Sequence, residues 1–158
     1  MTLAIDPAVR AITVEEVVPH AAETVWKVLT TPELIQRWLM RNDFKPGLGQ
    51  RFTFKDRPRG DWNGIVDCEI TTWDPPRELA YTWVGGSSTN DRHSAALDTV
   101  VTWTLTPVSG GTRLRMVHDG FRSPRNDLAF EEMSKGWNRV PAQVSQLAAE
   151  LAMEANTK

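Results

Sequence analysis

Two adjoining stretches decide the fold: Leu97–Phe121, LDTVVTWTLTPVSGGTRLRMVHDGF, and Phe130–Leu151, FEEMSKGWNRVPAQVSQLAAEL. In the first, Leu97, Thr99, Val101, Trp103 and Leu105 share one phase of a two-residue period. Beyond the turn residues Ser109-Gly110-Gly111, Leu114, Met116 and His118 share a phase again. Period two on either side of a glycine turn is the pattern of an antiparallel hairpin, and it points His118 with the apolar set. In the second stretch, apolar residues recur at Met133, Trp137, Val140, Val144, Leu147 and Leu151, at intervals alternating between four and three. That is the stripe of one long amphipathic helix. Pro141 lies inside it, lacks the N–H that would bond the Trp137 carbonyl, and crowds that oxygen, which predicts a bend over residues 137–141.

Upstream, the period-two pattern recurs. Val9 to Val18 reads as a strand with Ile12, Val14, Glu16 and Val18 on one face, and Glu16 is the polar member of that face. Ala22 to Leu29 carries Val25, Trp26, Val28 and Leu29 at helical spacing. Thr31 followed by Pro32 is an N-cap with proline in the first turn, opening a second short helix that presents Leu34, Ile35, Trp38 and Leu39. Further strands carry Phe52 and Phe54, then Val66, Cys68 and Ile70 within residues 62–72, then Leu79, Tyr81 and Trp83 after Pro75-Pro76. Gly85 to Ala96 is a long polar loop, the candidate mobile segment. The expected class is α+β: a strongly curved antiparallel sheet of about six strands closed by the C-terminal helix, with two short helices after strand 1.

A chain of 158 residues supports one domain with one core, here expected to span residues 1–158. Net charge −2 and the absence of a Lys/Arg stripe interleaved with aromatics argue against nucleic acid as a partner. Met1 to Pro7 has no basic and apolar leader pattern, and no apolar run approaches a membrane span, so no integral membrane association and a cytoplasmic location are expected. Cys68 is the only cysteine, which excludes an internal disulfide and fits a reducing compartment.

Seven tryptophans are an excess for this length, and they sit in an ordered series of signatures. These are Val25-Trp26; Thr31-Pro32-Glu33-Leu34 with Trp38; Pro46-Gly47-Leu48-Gly49; Asp74-Pro75-Pro76-Arg77-Glu78-Leu79 with Tyr81-Thr82-Trp83; Val101-Thr102-Trp103-Thr104-Leu105; His118-Asp119-Gly120-Phe121; and Gly136-Trp137. In this order they resemble the SRPBCC (START-like, helix-grip) superfamily. Within it they are similar to the branch of the C-terminal domain of the activator of heat-shock-protein-90 ATPase, over about residues 10–152. The resemblance implies a bent sheet wrapped around the long helix with a cavity between them that takes apolar molecules. Carried over by position, it implies that Trp38, Phe52, Phe54, Tyr81, Trp83, Trp103, Met116, Met133 and Trp137 face that cavity, and the strand phase adds His118.

Core packing alone also accounts for large aromatics, since burying about 200 Å² of ring is worth roughly 5 kcal/mol before entropy is counted. An empty dry void of about 300 Å³ would cost about 7 kcal/mol, comparable with the stability of a whole domain, so any cavity is expected to be tryptophan-filled, hydrated or occupied.

Glu16 and His118 are the titratable groups whose phase points inward, so they are the candidate acid and base of an enzymatic reading. If the first and last strands pair, however, the two sit at opposite ends of the ladder, about 10 Å or more apart. Cys68 reads as an inert buried thiol. His20, His93, His118 and Cys68 have no paired ligand spacing, so no metal and no cofactor are expected. Lys55, Arg57 and Arg59 form a solvated hairpin tip that could also steer an anionic head group. Gly47, Gly49 and Gly85-Gly86 do not open a phosphate-binding helix. Asp119-Gly120-Phe121 is expected to turn the chain out of the sheet, with Phe121 over the cavity end.

The leading expectation is a domain that binds a small apolar or aromatic molecule, a lipid or polyketide, without covalent chemistry. The alternatives are an enzyme of the polyketide-cyclase or aromatase type and a stress-response partner of the heat-shock protein 90 chaperone.

Overall fold

The computed structural model describes residues 9–58, 63–85 and 96–156. Arg59, His93, residues 1–7 and the loop residues 86–95, all singled out in the sequence, lie outside the described residues. The elements run β1 (Val9–Val18), α1 (Ala22–Thr30), α2 (Pro32–Trp38), β2 (Arg41–Asn42), β3 (Arg51–Lys55), β4 (Ile65–Asp74), β5 (Glu78–Gly85), β6 (Leu97–Val108), β7 (Gly111–Arg122) and α3 (Asp127–Asn156). All pairings are antiparallel in one sheet ordered β1-β7-β6-β5-β4-β3-β2, so the first and last strands are neighbours. The sheet is curved, and α3 lies against it in the helix-grip arrangement, packing on β1, β7, α1 and α2.

The core is assembled from single phases of each strand. Ile12, Val14 and Val18 on β1 join Leu114, Met116 and His118 on β7, then Val101, Trp103 and Leu105 on β6, Leu79, Tyr81 and Trp83 on β5, and the apolar phases of β4 and β3. From the helix side, Trp137, Val140, Val144, Leu147 and Ala148 complete it, with Met133 and Leu151 half-buried against it. Thr31 occupies the N-cap position of α2 without a side-chain cap bond; its carbonyl accepts from the Leu34 and Ile35 N–H groups as the first bonds of the helix, and Pro32 takes the first helical position. Gly111 opens β7 where the hairpin passes the end of β1. A Cβ there would stand 2.1 Å from the Val18 carbonyl oxygen, so only glycine permits this approach.

Two expectations are refined and two are corrected. The sheet has seven strands, because the two-residue β2 pairs Arg41 and Asn42 with Lys55 and Phe54. Two residues carry no period, so such a strand leaves no trace in the sequence. The long helix starts at Asp127, a turn earlier than its apolar stripe, and holds Pro141 inside one 30-residue element, as the stripe predicts. Asp119-Gly120-Phe121 does not leave the sheet: β7 continues to Arg122, and Gly120 is the extra residue of a bulge opposite Arg10/Ala11. Glu16, inward by phase, is exposed. β1 is the edge strand, so a long charged side chain in that phase can leave round the open side to water.

Candidate functional site

The concave face of the sheet is a continuous series of aromatic rings. Phe44 packs on Phe52, Phe52 on Phe54 and Tyr81, and Phe54 on Tyr81 and Trp83, with centroids 4.8–5.9 Å apart. Trp83 then meets Trp137 of α3 at 5.8 Å, Trp137 meets Trp103 at 5.9 Å, and Trp103 meets Trp38 of α2 at 5.4 Å. Most of these contacts are edge-on, the arrangement the ring quadrupoles favour. A second branch runs from Trp83 to His118, Phe121 and Phe130. Trp38, Phe52, Phe54, Tyr81, Trp83, Trp103, Met116, His118 and Trp137 are all buried, and Met133 is half-buried. The structure thus brings the ten positions named from the sequence into one cluster, with the rings packed on one another.

Polar atoms inside this cluster are paired. The Trp38 indole N–H donates to the Val28 carbonyl at 2.9 Å, and that of Trp103 to the Tyr81 hydroxyl at 3.1 Å. The Trp137 indole N–H lies 3.1 Å from His118 Nδ1. An indole can only donate, so Nδ1 accepts and the ring proton sits on Nε2. Nε2–H then donates to Thr99 Oγ1 at 2.7 Å, and the Thr99 hydroxyl donates to the Trp83 carbonyl at 2.8 Å. Four residues from α3, β7, β6 and β5 form one directed chain with a fixed histidine tautomer. Among the described residues, no buried side-chain nitrogen or oxygen lacks a partner.

Burial pushes the His118 pKa down to about 3, so the imidazole is neutral near pH 7 and its free lone pair is already used by Trp137. A general base needs a pKa near the working pH and a lone pair aimed at substrate. His118 has neither. Glu16 stands opposite Leu114 in the ladder and His118 opposite Ile12, four positions apart, which is about 13 Å along the strand. The two inward-phase titratable groups therefore do not form a pair. Burial likewise raises the pKa of the Tyr81 hydroxyl and of the Cys68 thiol, which is the inert state of a buried cysteine. Cys68 lies beside a cleft of about 260 Å³ bounded also by Asp43, Arg51, Phe52, Thr53 and Asp67. Lys55, the last residue of β3, and Arg57 beyond it are exposed. No group of three or more His, Cys, Asp or Glu among the described residues is placed to hold a metal. No described helix is long and apolar enough to cross a membrane.

Sequence reading passed over two residues. Thr99 shares the apolar phase of β6, and a buried threonine facing a buried histidine from the neighbouring strand is a signal once the register is known. Asn126, buried between β7 and α3, has no sequence signal, because its partners are the distant Ala96 carbonyl and the Arg122 N–H.

A family model described as "Activator of Hsp90 ATPase homolog 1-like protein" matches residues 19–150, from the end of β1 almost to the end of α3. The chain belongs to this family. A solved structure from the family's fold, protein MLL2253 of Mesorhizobium loti, is 40% identical over 89% of this chain and 98% of its own, with a TM-score of 0.76. BH1534 of Bacillus halodurans is 23% identical over 88% of this chain and 96% of its own, with a TM-score of 0.68. CalU16 of Micromonospora echinospora is 22% identical over 94% and 83%, with a TM-score of 0.67, and at that identity shares the fold alone. No curated protein matches the chain. The stretch matched by the family model takes in every aromatic residue of the ring series from Trp38 to Trp137.

Proposed function

We propose that this protein binds a small apolar or aromatic molecule between the sheet and α3 and performs no covalent chemistry on it. The observation that carries the reading is the ring series itself. It offers aromatic faces and edges with their polar atoms already satisfied, and the ten positions include no charged side chain. Such a lining recognises apolar and π-rich molecules by shape and dispersion rather than by charge. The neutral, doubly engaged His118 argues against the cyclase alternative, since it is the one titratable imidazole among the described residues of the cluster and its lone pair is already taken. The test is a two-dimensional NMR titration of the indole N–H signals with flavonoids, aromatic polyketides, fatty acids and sterols. Saturable shifts of Trp83, Trp103 and Trp137 are expected, with Trp73 unmoved. Seven unmoved signals with every compound would overturn the reading.

The family description favours a second reading, partnership with the heat-shock protein 90 chaperone. Its test is binding to the purified chaperone and stimulation of its ATPase, and absence of both would remove it.

A further inference from the structure

The sheet has two free edges, and they are built differently. One is β2, two residues long, and the other is β1, ten residues from Val9 to Val18. β1 contains no proline and no lysine, and its backbone is regular, since the bulge opposite Arg10/Ala11 takes its extra residue from β7. Its outer row of backbone N–H and C=O groups meets no other strand among the described residues. On the inner face Ile12 and Val14 retain exposures of 5% and 8%, and on the outer face Val17 is 49% exposed. Arg10 and Glu16 are the charged members of the inner phase, and both are exposed. Arg10 meets Asp127 and Phe130 of α3, whereas Glu16 has no ion-pair partner among the described residues. Inward charges on an edge strand deter pairing, because an arriving strand would cover them without a partner.

A second copy of β1 is a different case. In an antiparallel pair, two residues opposite each other both aim their N–H and C=O groups into the gap or both away from it. That direction alternates along a strand, so two copies of β1 can meet only with a residue opposite itself on a two-fold axis. With Ile12 on the axis, Arg10 faces Val14 and Glu15 faces Val9. With Val14 on the axis, Arg10 faces Val18 and Glu16 faces Ile12, and with Glu15 there two glutamates face each other. With Thr13 on the axis, Arg10 of each copy faces Glu16 of the other, Ile12 faces Val14, and Val17 faces Val9. This is the one register that sets opposite charges against each other. Directly opposed Cβ atoms lie about 4.5–5.5 Å apart, within reach of an ion pair, and Asp127 occupies only one of the donors of the Arg10 guanidinium. Arg10 of one copy and Arg10 of the other stand about 20 Å apart along the strands, so the two α3 N-termini sit at opposite ends of the joint.

We propose that β1 is a homodimer interface, at which a second copy of this chain pairs edge to edge across a two-fold axis at Thr13, with Arg10 and Glu16 selecting the register. The two charges that guard this edge against other strands are complementary to their own copy, so the same pair excludes and admits. Ligand binding in the ring series is not required for it. A joint of one strand against another is small, below about 1,200 Å², the class of weak and reversible association.

Sedimentation velocity of the full chain is expected to show monomer giving way to dimer between about 10 µM and about 1 mM. Glu16→Arg sets like charges opposite each other at both ends of the joint and is expected to weaken dimerisation about tenfold or more, and Arg10→Glu to do the same. An equimolar mixture of these two variants has opposite charges at both ends again, so mixed dimers are expected to form where neither variant dimerises alone. Glu23→Arg, the same charge change on exposed α1, is expected to alter nothing. A wild type that stays monomeric at about 1 mM, a dimer indifferent to Glu16→Arg, or a mixture that stays monomeric would each overturn the interface. Hydrogen exchange on the wild type needs no variant: between the same two concentrations the amides of β1 should gain protection while those of Arg41 and Asn42 on the other edge do not. Equal gains at both edges, or none, would refute the proposal.

Discussion

Helix α3 is fastened at its middle and at its ends by opposite means. At the middle, Trp137 hands its indole proton into a buried neutral chain through His118 and Thr99 to the Trp83 carbonyl. At the ends, exposed ions meet. Arg10 pairs with Asp127 at 2.9 Å while stacking over Phe130, and Arg37 holds Glu150 through two contacts of 2.9 and 3.2 Å. The buried chain gains little net energy per bond yet is costly to leave half-made, because an orphaned group inside has no water to turn to. The exposed pairs are screened by salt and replaced by water when broken. The middle of the helix therefore sets its docking, and the ends adjust it.

The comparison breaks most directly at Trp137. Trp137→Ala removes the ring that links Trp83 to Trp103 in the aromatic series and should lower unfolding stability by about 3–5 kcal/mol in urea melts. A loss below about 1 kcal/mol would mean that the middle does not anchor the helix.

Acid probes the same chain. His118 takes up its proton near pH 6.5 when unfolded and only near 3 when folded, so between those values the unfolded chain binds more protons and stability falls as pH falls. The slope is about 1.4 kcal/mol per pH unit, giving about 2–3 kcal/mol lost by about pH 4.5. Melts of wild type and His118→Leu at both pH values isolate it, since the variant should lack this part of the slope. Equal slopes would place the imidazole in contact with water.

A finer cut keeps the ring and removes only the donor. Trp137→Phe leaves His118 Nδ1 unpaired and should cost about 1–3 kcal/mol, less than the alanine change. In the NMR spectrum the His118 ring nitrogens should lose their fixed tautomer. The smallest effect belongs to the surface. A double-mutant cycle on Arg10 and Asp127 should give a coupling of a few tenths of a kcal/mol that vanishes in about 0.5 M salt, whereas the Trp137 effects should not respond to salt.

Strand and helix phases made most of this legible beforehand, because one-sided burial forces period two and period 3.6 onto the sequence. The inward set from Leu79 to Trp83, from Val101 to Leu105 and along α3 could be read directly. What escaped depends on pairings across the chain. Thr99 meets His118 only because β6 and β7 are in a particular register, and Asn126 matters only because two strands part beside it. Phase alone also misplaced Glu16, since periodicity reports direction and not whether anything lies on that side. The family resemblance supplied the list of residues expected to face a cavity. Their ring-to-ring packing is a property of coordinates, beyond what a residue list carries.

The ring series also has an optical consequence. Trp38, Trp103, Trp137 and Trp83 follow one another at 5.4–5.9 Å, while Trp26 and Trp73 form a separate pair at 5.2 Å. At such separations excitation hops between indoles faster than it is emitted, so light absorbed by any of the four leaves from whichever has the lowest excited state. The four behave as one chromophore, and a ligand touching a single member would change the colour, polarisation and lifetime of the light from all of them.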